Sequence, residues 1–503
     1  MAHHHHLPPK ATKLFSTPFR EKPDPKQKFS LFRLSLLILL CFASASFLKL
    51  SSFSPPPILS SSFSNTSRTH SKYSNNSASP PPPPPLPPPP PCSSLINHGP
   101  TTSNSITNLL CCDRSHFRTD VCYMLGDIRT AGSGRRTILL VGPSQANKTE
   151  EKIRPYTRKW ETEIMSTVDE LSLRPSPASA AKRCDVRHVA PAVVFSTGGY
   201  TGNVYHEFND GLIPLYITAA RFAGEVVLAV VEYHEWWFMK YRRILEKISK
   251  YEIVDLRRDK RVHCFDEMIV GLKIHGDLAI DSNLMHNGRS ILDFQSLLTA
   301  ALSSSPQPLK PPPPPPPPLP ATTHHRLHLT ILIRHHSRRL LNLPSILHLA
   351  HHSGFHTTLL SPKRSTPISH LHRSLSSSDA LLAVHGAALT HLLFMRPGSV
   401  LIQVIPIGLD WAAETYYGEP ARRLGLHYLA YNVTAEESSL SKVYGKNDPV
   451  LMNPKLVTSK GWAETKRVYM DKQDVDLDLK RFGKVIQQAK AHLMRIKSKK
   501  NIN

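Results

Sequence analysis

Apolar residues in this chain gather in short runs bounded by polar or turn-forming positions. Thr137-Ile-Leu-Leu-Val-Gly142, Ala192-Val-Val-Phe195 and Glu225-Val-Val-Leu-Ala-Val-Val231 are too short for helices and read as buried strands, while the spacing of apolar positions from Phe238 to Lys250 predicts a helix. The rhythm repeats with Leu329-Thr-Ile-Leu-Ile333, a helix near 345–353, Ala380-Leu-Leu-Ala-Val384, a helix after Gly386, and Ser399-Val-Leu-Ile-Gln-Val404. Strands of this kind alternating with helices predict an α/β fold in two lobes, the second carrying a Rossmann-type sheet. A last amphipathic, basic helix from Lys480 to Ser498 is expected either to pack back across the lobes or to extend as a solvated tail.

The flanks differ in kind. Lys10, Lys13, Arg20, Lys22, Lys26 and Lys28 precede an apolar stretch from Leu31 to Leu48 broken only by Arg33. That order is a positive-inside pattern, short for a full span unless Arg33 and Lys49 snorkel to the interfaces. A cleaved signal peptide is the other reading, with Ala43-Ser44-Ala45 as the small-residue site. Serine-rich and then nearly pure proline sequence follows, a composition that favours extended polyproline and buries no core. The expected order is a cytoplasmic tail at 1–30, a transmembrane signal-anchor at 31–48, a disordered stem at 49–108 and a first lobe at 109–305. A proline-rich linker or insertion at 306–323 leads to a second lobe at 324–480 and a C-terminal helix and tail at 481–503.

Size and charge narrow the classes. At 503 residues the chain exceeds one usual core, which suits a tethered protein with two lobes. A net charge of +24 attracts anions, whether nucleic acid, anionic lipid or a phosphorylated small substrate; a nucleic-acid partner would leave the anchor and the two α/β lobes unexplained. Cys41 lies in the apolar stretch, and the other six cysteines, none at zinc spacing, suit disulfides in an oxidising compartment, with pairing not deducible. Asn65, Asn75, Asn147 and Asn432 begin glycosylation sequons.

Three clusters carry candidate chemistry. Val384-His385-Gly386-Ala387-Ala388-Leu389-Thr390-His391 runs from a buried strand through small residues into a helix, where backbone amides can meet phosphate; tight packing alone would also call for small residues. Arg334, Arg338 and Arg339 follow a strand's C-terminal edge, either as phosphate ligands or as a solvated basic face. Thr197 to Asp210 is rich in glycine and polar groups, and His206 and Asp210 at i, i+4 suit a base with an orienting partner, two acceptor contacts, or a capping network. The histidines between His324 and His372 lack regular spacing with carboxylates, and Asp-x-Asp occurs only around Asp474 to Asp478, so no metal site is assigned.

In order, Cys112-Asp, Asp120-Val-Cys122, Gly126-Asp-Ile-Arg129, Pro191 to Leu215, Val262-His-Cys-Phe265, Arg334 to Asn342, the His385 motif, Ile402 to Pro406, Glu437 to Leu440 and Asn447 to Val450 resemble glycosyltransferase family 61. This is the family of plant xylan arabinosyl- and xylosyltransferases. The resemblance spans nearly all of Cys111 to Gln488. It implies a GT-B architecture, with an acceptor lobe followed by a nucleotide-sugar lobe, and an inverting, metal-independent transfer from a UDP-sugar to xylan or another glycan in the Golgi. No cofactor is implied. By that mapping Arg334, Arg338 and His385 serve the diphosphate, Gly386 and Thr390 line the donor pocket, and His206 and Asp210 face the reacting centre, with the base open between them. The plant-type likeness points to a pentose, xylose or arabinose. Ala388 stands where the family usually has glycine and His391 where many plant members have asparagine, which keeps an inactive glycan- or UDP-binding relative as the alternative.

Overall fold

The computed structural model describes residues 91–100, 108–132, 136–142, 149–303 and 326–500. The expected tail, anchor and proline linker, and the sequons at Asn65, Asn75 and Asn147, lie outside these residues. Among the described residues no helix is long and apolar enough to cross a membrane.

The described residues form a mixed α/β structure with two sheets. The first is built from β1 (Leu109–Asp113), β2 (Val121–Thr130), β3 (Thr137–Gly142), β4 (Glu151–Ile153), β5 (Leu171–Pro177), β6 (Val186–Arg187), β7 (Ala192–Phe195), β8 (Val227–Val230), β9 (Val254–Asp255) and β10 (His263–Val270). Its main path runs β4-β5-β3-β2-β10-β7-β8-β9. β10, β7, β8 and β9 are parallel neighbours, whereas β2 pairs antiparallel with β1, β3 and β10. The second sheet, β11 (Leu327–Leu332), β12 (Phe355–Leu360), β13 (Ala380–Val384), β14 (Val400–Ile405) and β15 (His427–Asn432), is wholly parallel in the order β12-β11-β13-β14-β15. Its direction of winding reverses between β11 and β13, and open α/β sheets form ligand crevices at the carboxyl ends of strands at such a reversal.

Residue alternation decides what each face meets. Val193 and Phe195 of β7 turn into an apolar cluster that also holds Leu332, Leu381, Leu401 and Phe394, so one interior runs through both halves. Ala192 and Val194 point to the other face of the first sheet, among Met124, Phe265 and Met268. Each fully buried large apolar side chain contributes about 1.5–3 kcal/mol. The helix Ile291–Leu302 belongs to both halves: it packs in this shared interior, and Gln295 Nε2 donates to the carbonyls of Leu393 and Met395 at 3.1 and 2.8 Å.

The C-terminal helix Leu479–Lys500 buries Phe482, Ile486, Ala489 and Leu493 against the second sheet, at spacings that share one helical face. It packs on that sheet, neither across both halves nor free in solvent. A second correction concerns the expected stem at 49–108. Within it, Cys92–His98 is a helix that buries Leu95 and Ile96 and is tied by Cys92–Cys111 to β1, because two adjacent apolar residues and a cysteine give this segment a packing face that the proline run lacks. Cys112–Cys122 and Cys184–Cys264 complete three disulfides.

Candidate active site

The strand β7 ends in the polar segment Ser196–Asn203. Gly199 takes a φ of +62° with its backbone against the Tyr156 ring, where a Cβ would collide. Asn203 then caps the next turn, accepting from the Tyr205 amide at 3.0 Å. The i, i+4 pair His206 and Asp210 sits not on a regular helix but on a single α-turn, Val204–His206, followed by a π-helical segment, Glu207–Leu212, a form that recurs at functional sites. The turn still brings the two residues together: His206 Nδ1 lies 2.6 Å from Asp210 Oδ2.

Asp210 is completely buried and surrounded by donors. Arg158 Nε reaches its Oδ2 at 2.8 Å, Asn209 Nδ2 its Oδ1 at 2.8 Å, and Arg118 Nη2 lies 3.9 Å from Oδ1. Burial alone would raise this carboxyl, but the His206 hydrogen bond and the Arg158 charge outweigh it and hold Asp210 below the usual carboxylate range. An ionised Asp210, at 2.6 Å a closer partner than Arg158 Nη2 at 3.2 Å, accepts the His206 Nδ1–H, which leaves Nε2 with the lone pair. His206 can therefore take a proton at Nε2 while Asp210 orients the ring. Tyr200 stacks on His206 at 4.2 Å and its hydroxyl donates to Glu161 at 2.6 Å. Sequence reasoning named His206 and Asp210 but missed Arg158 and Arg118, which arrive from loops far away in the chain and carry no local signal.

At the reversal point of the second sheet, Arg334 and Arg338 follow β11 and His385 and Gly386 follow β13. Arg338 is 7% exposed, sits at φ +56°, and its Nε and Nη1 make no hydrogen bond. Neither arginine pairs with a carboxylate among the described residues. Burial, and then the charge of Arg334, bring the Arg338 pKa down to about 10. A Cβ at Gly386 would run into the Arg334 guanidinium, so glycine here lets that group lie on the backbone. His385 is buried, and burial followed by the two arginines depresses it to about 3, so it is neutral. The Gln403 amide donates to His385 Nδ1 at 2.9 Å while its carbonyl accepts from the Tyr428 hydroxyl at 2.9 Å. That chain places the proton on His385 Nε2, making the ring a neutral donor beside two cations that form no ion pair among the described residues.

The segment after Gly386 differs from the helix expected there. Ala387–Phe394 is a 3-10 helix, and Leu389 to Phe394 are all buried, so this segment is covered by protein on every side. The Leu389 amide is taken by the Gly386 carbonyl at 2.9 Å and is not free for a ligand. Thr390 is buried with its hydroxyl beside Tyr417. Asp474 of the Asp-x-Asp stretch is held by Arg339 at 2.6 Å, which places Arg339 apart from Arg338. No group of metal-binding side chains occurs among the described residues. Asn432 ends β15 and is exposed.

Three tyrosines join the clusters. Tyr205 packs on Tyr416 at 5.2 Å and on Tyr417 at 6.1 Å, and Tyr417 meets His385 at 5.4 Å. The Tyr205 hydroxyl donates to Asp277 at 2.8 Å, and Arg118 donates to the same carboxylate at 3.1 Å. A histidine oriented by a buried carboxylate thus lies across a tyrosine layer from two guanidinium groups that form no ion pair among the described residues.

An arrangement that pairs a proton acceptor with an anion-stabilising pocket suits transfer of a group from an anionic carrier, and the protein is a glycosyltransferase. The profile of the family "Glycosyltransferase 61" matches residues 205–402. A xylan glycosyltransferase of Arabidopsis thaliana is 45% identical over 405 residues, covering 79% of this chain and 82% of that protein. A β-1,2-xylosyltransferase of Oryza sativa subsp. japonica is 38% identical, covering 77% and 84%, and an α-1,3-arabinosyltransferase of the same plant is 36% identical, covering 75% and 64%. The chain belongs to glycosyltransferase family 61.

Proposed function

We propose that the protein transfers a pentose, with inversion, from a UDP-sugar to a xylan chain, in a GT-B arrangement of two facing lobes. The observation that carries this reading is the pair Arg334, half-buried, and Arg338, buried, neither of them in an ion pair among the described residues, beside the neutral donor His385. Buried charge is costly unless paired, and a diphosphate supplies the missing partner. In the reaction an acceptor hydroxyl oxygen attacks the anomeric carbon as the bond from that carbon to the phosphate oxygen breaks. The hydroxyl proton goes to His206 Nε2, and the bonding electrons leave with UDP. Its growing negative charge is met by Arg334, Arg338 and the His385 Nε2–H, with Gly386 allowing the close approach and Thr390 lining the pocket. The reaction needs no metal for charge stabilisation if these groups supply it.

Xylan as acceptor and a pentose as the transferred group are supported by the relatives' activities, which include both xylosyl and arabinosyl transfer. We place the enzyme in the Golgi membrane as a single-pass type II protein anchored by residues 31–48, a reading supported by the basic flank and by three disulfides, which persist in oxidising compartments. The test is UDP release by the full-length protein against UDP-xylose, UDP-arabinose and UDP-GlcNAc, with xylo-oligosaccharide or N-glycan acceptors. Acceptor-dependent release from a UDP-pentose with xylo-oligosaccharide, abolished by Arg338→Met, is expected. Tight UDP binding with no turnover on any pair would overturn the transferase reading in favour of a glycan-binding relative.

A further inference from the structure

Tryptophan is buried on average in soluble proteins, and an exposed aromatic patch marks a surface that something else covers. Of the five tryptophans, Trp160, Trp411 and Trp462 are 44%, 48% and 45% exposed, and Phe117 is 68% exposed. They are not scattered. Phe117 meets Trp160 at 5.8 Å, and Trp160 lies under the guanidinium groups of Arg118 and Arg158, at 5.1 and 5.0 Å, which are the groups that hold Asp210. On the other side Tyr205 meets Tyr416, Tyr416 meets Trp411 at 5.7 Å, and Trp411 meets Trp462 at 6.2 Å. Exposed rings therefore lead away from the dyad in two directions, one on loops of the first half and one on the short helices Asp410–Ala413 and Trp462–Thr465.

We infer that Phe117 with Trp160, and Trp411 with Trp462, are the two arms of a binding track for the acceptor polysaccharide, stacking successive sugar rings on either side of the hydroxyl presented to His206. This rests on the transferase reading and adds the subsites to it. All four of these exposed side chains are aromatic, and aromatic faces suit the flat C–H faces of a β-linked pyranose chain. The rings step by 5.7 to 6.2 Å from centre to centre with their planes inclined at 42°, 67° and 75°, a platform for a chain whose sugars turn from one to the next. The track is also continuous with the reacting centre, so a chain seated on it passes the base.

The experiment compares xylobiose, xylotetraose and xylohexaose as acceptors for the full-length protein and its Phe117→Ala, Trp411→Ala and Trp462→Ala variants, with xylohexaose affinity measured separately by calorimetry. Loss of an anchoring aromatic typically weakens binding by about tenfold. The expected result is an acceptor KM and a Kd raised by about that factor for xylohexaose, a smaller change for xylobiose, and unchanged donor KM and kcat. An equal effect at every acceptor length, a change confined to donor KM, or a shift of the protein from dimer to monomer with no change in xylohexaose Kd would overturn the track, the last two assigning the rings to the nucleotide or to a second copy of the chain. If wild-type protein binds xylohexaose through these rings and transfers nothing, the track stands and the transferase reading falls.

Discussion

Replacing Asp210 by asparagine changes almost no volume but removes an acceptor from a pocket where every neighbour donates. Oδ2 faces Arg158 Nε and His206 Nδ1; Oδ1 faces Asn209 Nδ2 and Arg118. If the new amide nitrogen takes the Oδ2 position, Arg158 loses its acceptor, and His206 satisfies the nitrogen only by moving its proton to Nε2, where it no longer serves as a base. If the nitrogen takes the Oδ1 position it meets the Asn209 amide, which cannot turn over because its own oxygen holds the Leu278 amide at 2.7 Å. Either choice leaves a buried donor unpaired. Breaking a buried ion pair costs about 3–5 kcal/mol, and since Arg158 keeps Glu161 at 2.9 Å, a loss of about 3 kcal/mol in unfolding free energy is expected. Losing the oriented base should lower kcat about 10²–10⁴-fold. Urea unfolding and UDP-release kinetics at the same pH measure the two effects, and His206→Gln should match the kcat loss with a smaller stability loss. Asp210→Asn with kcat within threefold of wild type would refute the assignment of His206 and Asp210 as base and orienting partner.

Arg338→Met should leave the ligand-free protein as stable as wild type or about 1–2 kcal/mol more stable, since it replaces a buried, unpaired charge, while UDP affinity falls about 100-fold; denaturant unfolding and calorimetry separate the two. Gly386→Ala pushes a methyl against Arg334, and a donor KM raised about tenfold with acceptor KM unchanged is expected from steady-state kinetics. His385 and His391 fold neutral, depressed to about 3 and about 4 chiefly by burial, against 6.5 when unfolded. The unfolded chain then binds protons that the native state excludes, so this stability is complete above pH 7 and declines as pH falls through 6.5 towards 4. Each histidine should cost about 1.4 kcal/mol at pH 5.5, and thermal unfolding should show His391→Gln with a shallower decline between pH 7.5 and 5.5. Replacing Cys184 and Cys264, which close a span of 80 residues, should destabilise by about 4 kcal/mol in the oxidised protein, read by denaturant unfolding.

The parallel strands were legible in the sequence for a physical reason. β7 and β13 have the bounds their apolar runs give, because a strand covered on both faces writes an unbroken apolar run. β1 and β5 were not, since half-covered strands that include Cys111, Cys112 and Pro175 carry no such run. The cysteine pairing needed the register of β1 on β2, which sets Cys112 opposite Cys122 while the pleat turns Cys111 to the other face, towards Cys92. In the candidate site, His206 and Asp210 were readable as a pair because four residues separate them, and Arg334 and Arg338 because they cluster after a strand. Arg158, Gln403 and Tyr417 act through contacts between distant segments, and spacing along the chain contains no trace of those. The π-helical turn at Glu207–Leu212 was unreadable for a related reason, since its apolar positions fit an ordinary helix equally well.

The single apolar interior shared by both sheets governs how the protein can come apart. Phe208, Phe294 and Leu298 from one half and Leu332, Leu381 and Phe394 from the other lie in one cluster, so neither half can lose its structure without exposing the inner face of its neighbour. Melting should then be one cooperative event, with matching calorimetric and van't Hoff enthalpies, and a gene fragment ending at the proline run would encode half an interior: a sticky, chaperone-dependent chain in place of a separable nucleotide-binding module.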